Sequence, residues 1–235
     1  MSDNTKVFAI ADLHLSGSQN KPMDIFGVHW DNHWNRIKES WINNICNDDI
    51  IIVPGDISWA MNLEDAIIDI NEIATLPGRQ IFVKGNHDFW WSSYTKVDNA
   101  LSKNQLIIQN NSHKISDIVI AGTRGWLCPG SQDFKEKDEK IYKREAMRLE
   151  LSLQDAMKKV DSRSTLIVAM HFPPYALDKK PTLFTEILEK YSPECVVFGH
   201  IHSPKLAKSL EGEQNGINYI MSACDSIEFK PIRII

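Results

Sequence analysis

The chain has 235 residues, of which 43% are hydrophobic and 24% charged, a composition that excludes wholesale disorder. At this length we expect one domain with a sizeable core, spanning residues 1–235. The 26 lysine and arginine residues against 31 aspartate and glutamate residues give a formal net charge of −5, which disfavours a protein that holds long nucleic acid by its phosphates.

The sequence also predicts a cytoplasmic protein that does not act at a membrane. No apolar stretch approaches the length of a membrane span. The first strand-like run begins at Lys6, too early to leave room for a cleaved leader. The four cysteines include no CxxC pair, which favours reduced thiols over a disulfide or zinc framework.

Short apolar runs rich in valine and isoleucine predict strands that are buried on one or both faces. In chain order, the predicted strands are Val7–Ala11, Ile50–Val53, Ile81–Val83, Leu106–Ile108, Ile118–Ala121, Leu166–Met170, Cys195–Phe198, Tyr219–Met221 and Ile232–Ile235. Several of these runs are separated by segments of helical length. This alternation predicts an α/β layered domain.

Four intervening segments carry apolar residues at the three- and four-residue spacing of an amphipathic helix. The predicted helical segments are Trp34–Ile45, Leu63–Ile73, the stretch between Lys135 and Val160, and a short helix opened by Pro181. Asn62 is placed to cap the second helix, and Pro77-Gly78 stops it.

Five of the apolar runs end in residues of the metal-ligand type. These ends are Asp12-Leu13-His14, Gly55-Asp56, Gly85-Asn86-His87-Asp88, His171 and Gly199-His200-Ile201-His202. Open α/β sheets bind ligands at the carboxyl ends of their strands, so we expect the five ends to converge on one crevice. In extended backbone, a spacing of two points both side chains of each Asp-x-His or His-x-His pair to the same side. The preceding glycines let the chain turn sharply and come close to a bound ion.

Taken together and in this order, the motifs resemble the calcineurin-like metallophosphoesterase superfamily. Its pattern D-x-H, G-D, G-N-H-[DE], H, G-H-x-H is met in full between Asp12 and His202, which is most of the chain. The sequence around Pro54–Trp59 and Gly122–Trp126 is similar to that of a bacterial branch of predicted phosphohydrolases. The resemblance implies an α/β fold with a two-layer β-sandwich flanked by helices.

The resemblance further implies a centre of two divalent metal ions. One ion would take Asp12, His14 and His202, the other Asn86, His171 and His200, and Asp56 would bridge both. Carboxylate, imidazole and amide ligands suit Mn, Fe or Zn, whereas calcium prefers sites made only of oxygen. Two ions about 3.5–4 Å apart can clamp a phosphate and lower the pKa of a shared water.

His87 is left outside the implied ligand set. In the family this histidine contacts the phosphate or protonates the leaving oxygen, which makes His87 the implied catalytic residue beside Asp56. Some branches carry a carboxylate or an amide three residues after the aspartate of Gly-Asp, and that group orients the histidine. This chain has Trp59 there. Either Asp88 or a backbone carbonyl would then orient His87, or His87 acts as a phosphate donor more than as an acid.

Aromatic residues and one arginine near the strand ends predict a walled substrate pocket. Trp91 and Trp126 could stack on a base or ring, with core packing as the alternative. Arg124 could hold a substrate phosphate as a bidentate donor, with a structural salt bridge as the alternative. The loop Ser16–Asp31 would close over the crevice. Further aromatic candidates for this wall are Phe26, Trp30, Trp59, Trp90 and Tyr94.

These features predict a metal-dependent phosphoesterase that hydrolyses a small phosphoester by in-line attack of a metal-activated water. A phosphodiester or a nucleotide is the favoured substrate. A nuclease of the same superfamily is disfavoured by the missing basic surface and by the lack of room for a DNA-capping domain. A scaffold that keeps the fold without catalysis is disfavoured because every implied ligand and His87 are present.

Overall fold

Two β-sheets form the centre of the protein in this computed structural model, which describes residues 5–19 and 21–235. The strands in these ranges are β1 (Val7–Ala9), β2 (Ile50–Pro54), β3 (Arg79–Val83), β4 (Gln105–Ile108), β5 (His113–Ile115), β6 (Ile118–Thr123), β7 (Thr165–Met170), β8 (Cys195–Phe198), β9 (Gly212–Gln214), β10 (Ile217–Met221) and β11 (Ile232–Arg233). The α-helices are α1 (His33–Asn44), α2 (Leu63–Ala74), α3 (Tyr94–Asp98), α4 (Glu136–Met157), α5 (Leu183–Tyr191) and α6 (Pro204–Leu210).

Parallel pairing dominates both sheets. The first sheet has the order β11-β1-β2-β3-β4, in which β1 to β4 are parallel and β11 is antiparallel to β1. The second sheet has the order β5-β6-β7-β8-β10-β9, in which β6, β7, β8 and β10 are parallel and the edge strands β5 and β9 are antiparallel. Each sheet therefore gathers the carboxyl ends of its central strands at one edge.

The two sheets pack face to face through the inner residues of their strands. Ile52 and Ile81 of the first sheet belong to the same buried cluster as Ile120, Ile167 and Val197 of the second. Alternate residues of each strand point to opposite faces, and in these strands both faces are apolar. Burial on both faces explains why the strands read as nearly continuous apolar runs.

Helices cover the outer face of each sheet. Trp41 of α1 and Ile70 of α2 are buried against outward residues of the first sheet. Leu149 of α4 and Phe184 of α5 are buried against outward residues of the second sheet. The layers therefore follow the order helix, sheet, sheet, helix, and this confirms the α/β sandwich flanked by helices.

All of the predicted strands are present: Cys195–Phe198 has the predicted bounds, and each of the others is shifted by one or two residues at one end. The short edge strands β5 and β9 were not predicted, because their exposed positions carry polar residues instead of an apolar run. The segment Ser16–Asp31 contains two short 3-10 helices, Met23–Phe26 and Val28–Trp30, and its residue Asn20 lies outside the described residues.

The helix caps show why the helices begin where they do. The Asn62 side chain accepts a hydrogen bond of 3.0 Å from the Asp65 N–H, which is the predicted cap of α2. The predicted start at Pro181 is wrong by two residues, because Thr182 caps α5 and accepts from the Thr185 N–H at 3.1 Å. None of the described helices combines the length and the apolar character needed to cross a bilayer.

The four cysteines are free, in agreement with the sequence prediction. Burial raises the pKa of both Cys128 and Cys195 to about 12. Neither residue therefore provides a thiolate at neutral pH, and this argues against Cys128 and Cys195 as nucleophiles.

Candidate metal centre

The five predicted motifs meet at one edge of the sandwich. Asp12 follows β1, Asp56 follows β2, Asn86 follows β3, His171 follows β7 and His200 follows β8. The first three come from one sheet and the last two from the other. Their side chains approach one another across the two sheets, since His171 Nε2 lies 3.5 Å from Asp56 Oδ2. The strand ends therefore form one crevice, as the sequence predicts.

Left-handed backbone brings several of these residues into the crevice. The φ angles are 60° at Asp12, 47° at His14, 52° at Asp56 and 73° at His200. The expectation that extended backbone aligns Asp12 with His14 is therefore wrong. The chain instead turns at both residues after leaving β1. Such conformations cost about 1–3 kcal/mol each in residues other than glycine and concentrate at functional sites.

Two glycines allow the main chain to approach the carboxylates. A Cβ atom on Gly85 would lie 2.1 Å from Asp56 Oδ1, and a Cβ atom on Gly199 would lie 2.4 Å from Asp12 Oδ2. No side chain fits at these distances. The glycines of the third and fifth motifs were expected to let the chain approach a bound ion; in the structure they make room for the carboxylates of Asp56 and Asp12.

One group of ligand atoms comprises Asp12, His14 and His202, whose nearest donor atoms all lie within 4.8 Å of one another. His14 Nε2 is 3.4 Å from His202 Nε2, and His202 Nε2 is 3.8 Å from Asp12 Oδ1. This is the first ligand set implied by the family resemblance.

A second group comprises Asp12, Asp56 and His171, again within 4.8 Å. Asn86 Oδ1 joins it at 2.7 Å from His171 Nε2. Asp56 Oδ2 also lies 3.8 Å from His14 Nε2 of the first group. A single carboxylate of Asp56 therefore faces both groups, as a bridging ligand must.

The donor atoms fit a divalent metal ion. Asp12 Oδ1 is buried without a hydrogen-bond partner, and such an atom is costly unless something else satisfies it. His171 Nδ1 donates to Pro54 O at 2.9 Å, and His202 Nδ1 donates to Asp225 Oδ1 at 3.1 Å. These bonds turn the Nε2 atoms toward the crevice, which is the usual arrangement of metal-binding histidines.

Burial sets the protonation of the ligands. It raises the pKa of Asp12 and of Asp56, and it lowers the pKa of His14. Burial also lowers the pKa of His171 to about 3, so its ring is neutral at neutral pH and has a lone pair for a metal. For His202, burial lowers the pKa, but the Asp225 hydrogen bond and the nearby carboxylates outweigh it and raise the value to about 9.

His200 lies beside the second group, outside the clusters of converging ligand atoms. Its backbone N–H donates to Asp12 Oδ2 at 2.9 Å. Its ring centroid is 5.1 Å from that of His171 and 4.0 Å from that of Phe172. A role for His200 as a metal ligand stays a prediction.

His87 lies next to the ligands, where the sequence places it. Its backbone N–H donates to Asp56 Oδ1 at 2.8 Å, and its ring is half-buried. The ring centroid lies 4.7 Å from Trp59 and 5.8 Å from His14. Trp59 itself stacks on His14, with centroids 4.7 Å apart and ring planes at 19°. Packing against Trp59 thus takes the place of the carboxylate or amide found in other branches.

Asp88 does not orient His87, because its carboxylate serves the main chain. It accepts hydrogen bonds of 2.7–3.2 Å from the backbone N–H groups of Gly85, Asp56, Ile57 and Ser58. It also accepts from the indole N–H of Trp90 at 3.0 Å. Asp88 therefore ties the loop after β3 to the loop after β2. Sequence reasoning missed this role, since Asp88 looks like the end of a ligand motif.

Asp225, the partner of His202, was also missed. It follows β10 at the same edge of the sandwich, so the rule that identified the other strand ends could have found it.

The predicted substrate residues occupy three different surroundings. Trp91 is only 5% exposed, packs in the core and donates to Gln109 Oε1 at 3.0 Å. This is the core-packing alternative. Arg124 lies 3.3 Å from Glu145, which is the salt-bridge alternative. Trp126 packs beneath Arg124 and lines a cavity of about 370 Å³ beside His200.

A cavity of about 410 Å³ opens beside the first ligand group. Its lining residues are His14, Met23, Phe26, His29, Trp30, Trp59, His87 and His202. Phe26, Trp30 and Trp59 are aromatic residues that the sequence assigns to the pocket wall. His29 was not assigned to it, since it matches no motif. This cavity, called the aromatic pocket below, is the space that a substrate of the metal centre would enter.

A model of the calcineurin-like phosphoesterase family matches residues 5–204. The chain belongs to this family. The match supports a phosphoesterase-type hydrolase. No curated protein gives a significant sequence match.

Solved structures resemble the chain in fold. A phosphopantetheinyl hydrolase (PptH) from Mycobacterium tuberculosis is 13% identical, with a TM-score of 0.56 over 100% of this chain and 97% of that one. A protein of unknown function, AQ665 from Aquifex aeolicus, is 14% identical, with a TM-score of 0.50 over 98% and 96% of the two chains. At these identities the comparisons establish the shared sandwich.

We expect the substitution Asp56→Asn to remove most of the bound metal, because it takes away the charge that faces both ligand groups. Loss of a residue that merely hydrogen-bonds a ligand costs about 10–100-fold in metal affinity, so loss of Asp56 should cost at least about 100-fold. Mass spectrometry of the metal content after dialysis measures this. The control Asp138→Asn changes a buried aspartate of α4 and should keep its metal. Equal metal in both variants would remove Asp56 from the centre.

We expect Asp88→Ala to destabilise the fold strongly. Several buried N–H groups would lose their acceptor, at about 1–3 kcal/mol for each group left unsatisfied. The free energy of unfolding, from urea denaturation, should fall by at least about 3 kcal/mol. The exposed Asp48→Ala variant should change it by less than about 0.5 kcal/mol. Similar values for the two variants would contradict the role given to Asp88.

Proposed function

We propose that the protein is a dinuclear metal-dependent phosphoesterase that hydrolyses a small phosphoester, with a phosphodiester or a nucleotide as the favoured substrate. The position of Asp56 carries this proposal. Its Oδ2 atom is 3.8 Å from His14 Nε2 and 3.5 Å from His171 Nε2, so one carboxylate is shared by two sets of ligand atoms.

Mn, Fe or Zn suits this mixture of carboxylate, imidazole and amide donors. Two such ions, when bound, would polarise the phosphate and lower the pKa of a water molecule for in-line attack. Asp12, His14 and His202 would hold one ion, while Asn86 and His171, with His200, would hold the other. Asp56 would bridge the ions and fix their separation.

His87 is the residue proposed to act on the leaving oxygen. It lines the aromatic pocket, and its ring is held by Trp59 rather than by a carboxylate. Its backbone bond to Asp56 ties it to the bridging ligand. An imidazole in this place can donate a hydrogen bond to the phosphate, or a proton to the departing oxygen, near neutral pH.

The aromatic pocket supports a small substrate that carries a planar group. Its volume of about 410 Å³ is that of a small-molecule site. Phe26 is 59% exposed and offers a ring surface for stacking, while Trp30 and Trp59 add apolar area to the lining. The net charge of −5 disfavours long nucleic acid, and therefore a nuclease, but not a small anion, because divalent ions would dominate the local field. The proposal includes a single domain over residues 1–235 and a cytoplasmic location, which the four free cysteines support.

We expect His87→Ala to keep its metal and to lower kcat by about 10²–10⁴, the usual range for a general acid or a phosphate contact. The loss should be smaller for nitrophenyl esters, whose leaving group needs little protonation. Kinetics with a nitrophenyl and an alkyl ester, together with metal analysis, test this. His113→Ala is the control. His113 lies on β5, where its Nε2 atom is 2.8 Å from Ile107 O, and it belongs to neither ligand group. Metal lost together with activity would make His87 a ligand instead.

The substrate proposal can be tested with two neighbouring residues. Phe26 lines the aromatic pocket and is 59% exposed, whereas Ile25 is 72% exposed and does not line it. Stacking on a base is worth about 1–3 kcal/mol, so Phe26→Ala should raise KM for a nucleoside ester by about 5- to 100-fold. KM for a small alkyl phosphoester should change little, and Ile25→Ala should affect neither substrate. Equal KM values in all three proteins would mean that the pocket does not hold the planar group.

A further inference from the structure

A second, basic cavity of about 260 Å³ opens at the carboxyl ends of β3, β4 and β6. Lys84 follows β3 and Arg124 follows β6, while Arg144, Glu145 and Arg148 come from α4. We call this space the basic cavity after the charged residues of its lining, which are these five. It lies at the same edge of the sandwich as the metal centre, but none of its lining residues belongs to the ligand groups.

The charges that line the basic cavity are unbalanced. Glu145 is its one carboxylate among the described lining residues, against four cationic side chains. Its Oε1 atom lies 3.3 Å from Arg124, 3.6 Å from Arg144 and 2.8 Å from Arg148. Its Oε2 atom accepts from the Thr123 hydroxyl at 3.0 Å. The three arginines thus share one fully buried carboxylate, and the lining keeps an excess of three positive charges.

Hydrogen-bond donors also exceed acceptors here. Each guanidinium has five N–H donors, and one carboxylate cannot satisfy three of these groups. Arg124 Nε is buried without a hydrogen-bond partner. Lys84 donates to the backbone carbonyl of Trp91 at 3.2 Å, which leaves its charge unbalanced. An anion in the cavity would offset the excess positive charge and accept from the unused donors.

We propose that the basic cavity binds the phosphoryl group of a small ligand at a site separate from the metal centre. Guanidinium groups match the oxygens of a phosphate as bidentate donors, and several of them here surround one space. A volume of about 260 Å³ admits a phosphate with a small attached group and excludes a polymer. The neutral residues Ser92 and Asn110 in the lining add hydrogen-bonding groups.

The main chain connects the basic cavity to the metal centre. Lys84 immediately precedes Gly85-Asn86, and the carbonyl of Arg124 accepts from the His171 N–H at 3.1 Å. The proposed site therefore borders the second ligand group through its backbone. It does not depend on the proposed catalytic function, because binding of a phosphate there requires neither metal nor turnover.

Calorimetric titration of the metal-loaded protein with inorganic phosphate tests the site. We expect two binding events, one at the metal centre and one in the basic cavity. Arg144 is half-exposed, so its replacement is compatible with folding, which thermal unfolding checks. Arg144→Met should weaken one event by about 10–100-fold, the effect of losing a charge-assisted contact, and Arg144→Glu should abolish it. Treatment with a chelator should remove the other event.

The control is Arg79→Met, at the exposed amino end of the β3 strand that Lys84 follows, and it should leave both events unchanged. A second variant, Arg148→Met, should act in the same direction as Arg144→Met. A phosphate titration repeated in the presence of AMP identifies the source of the phosphoryl group. If AMP suppresses the Arg144-dependent event, the ligand is a nucleotide. If AMP leaves that event unchanged, the ligand is free phosphate. A single event that disappears with chelation, and that Arg144→Glu leaves intact, would overturn the proposal.

Discussion

The buried carboxylate of Asp88 is the interaction on which the rest of the site depends. It accepts N–H groups from the loops after β2 and β3, and those loops carry Asp56, Asn86 and His87. Burial and the charge of Asp56 raise the pKa of Asp88 to about 7, so several main-chain hydrogen bonds are needed to hold a charge there. Asp88 thus sets the positions of Asp56 and His87, the proposed bridging ligand and the proposed general acid, through the main chain alone.

Much of the fold and of the ligand set could be predicted, for one physical reason. A strand buried on both faces consists of an uninterrupted run of apolar residues, so the first polar residue after it is easy to recognise in the sequence. Asp56 after β2 and His171 after β7 are such residues. Since parallel strands end at a common edge, their convergence follows from the architecture. The family pattern then assigned each residue to a ligand group.

The rest depended on contacts between distant parts of the chain. Trp91 could be a pocket wall or core, and only its packing with Gln109 decides. The bond between Asp225 and His202 joins residues 23 positions apart after different strands; the strand-end rule could have found each residue, but not their pairing. The edge strands β5 and β9 carry polar residues, because one side of each is open to water, and so lack the apolar signal.

The division of the ligands between two sheets has a mechanical consequence. Asp12 and Asp56 move with the first sheet and His171 with the second, so the spacing of the sheets is also the span of the ligand cage. That spacing is set by the side chains between the sheets, such as Ile52 and Ile167. Close-packed interiors transmit small changes of volume over such distances. The sizes of these apolar side chains therefore set the distances between the candidate ligands of the two sheets.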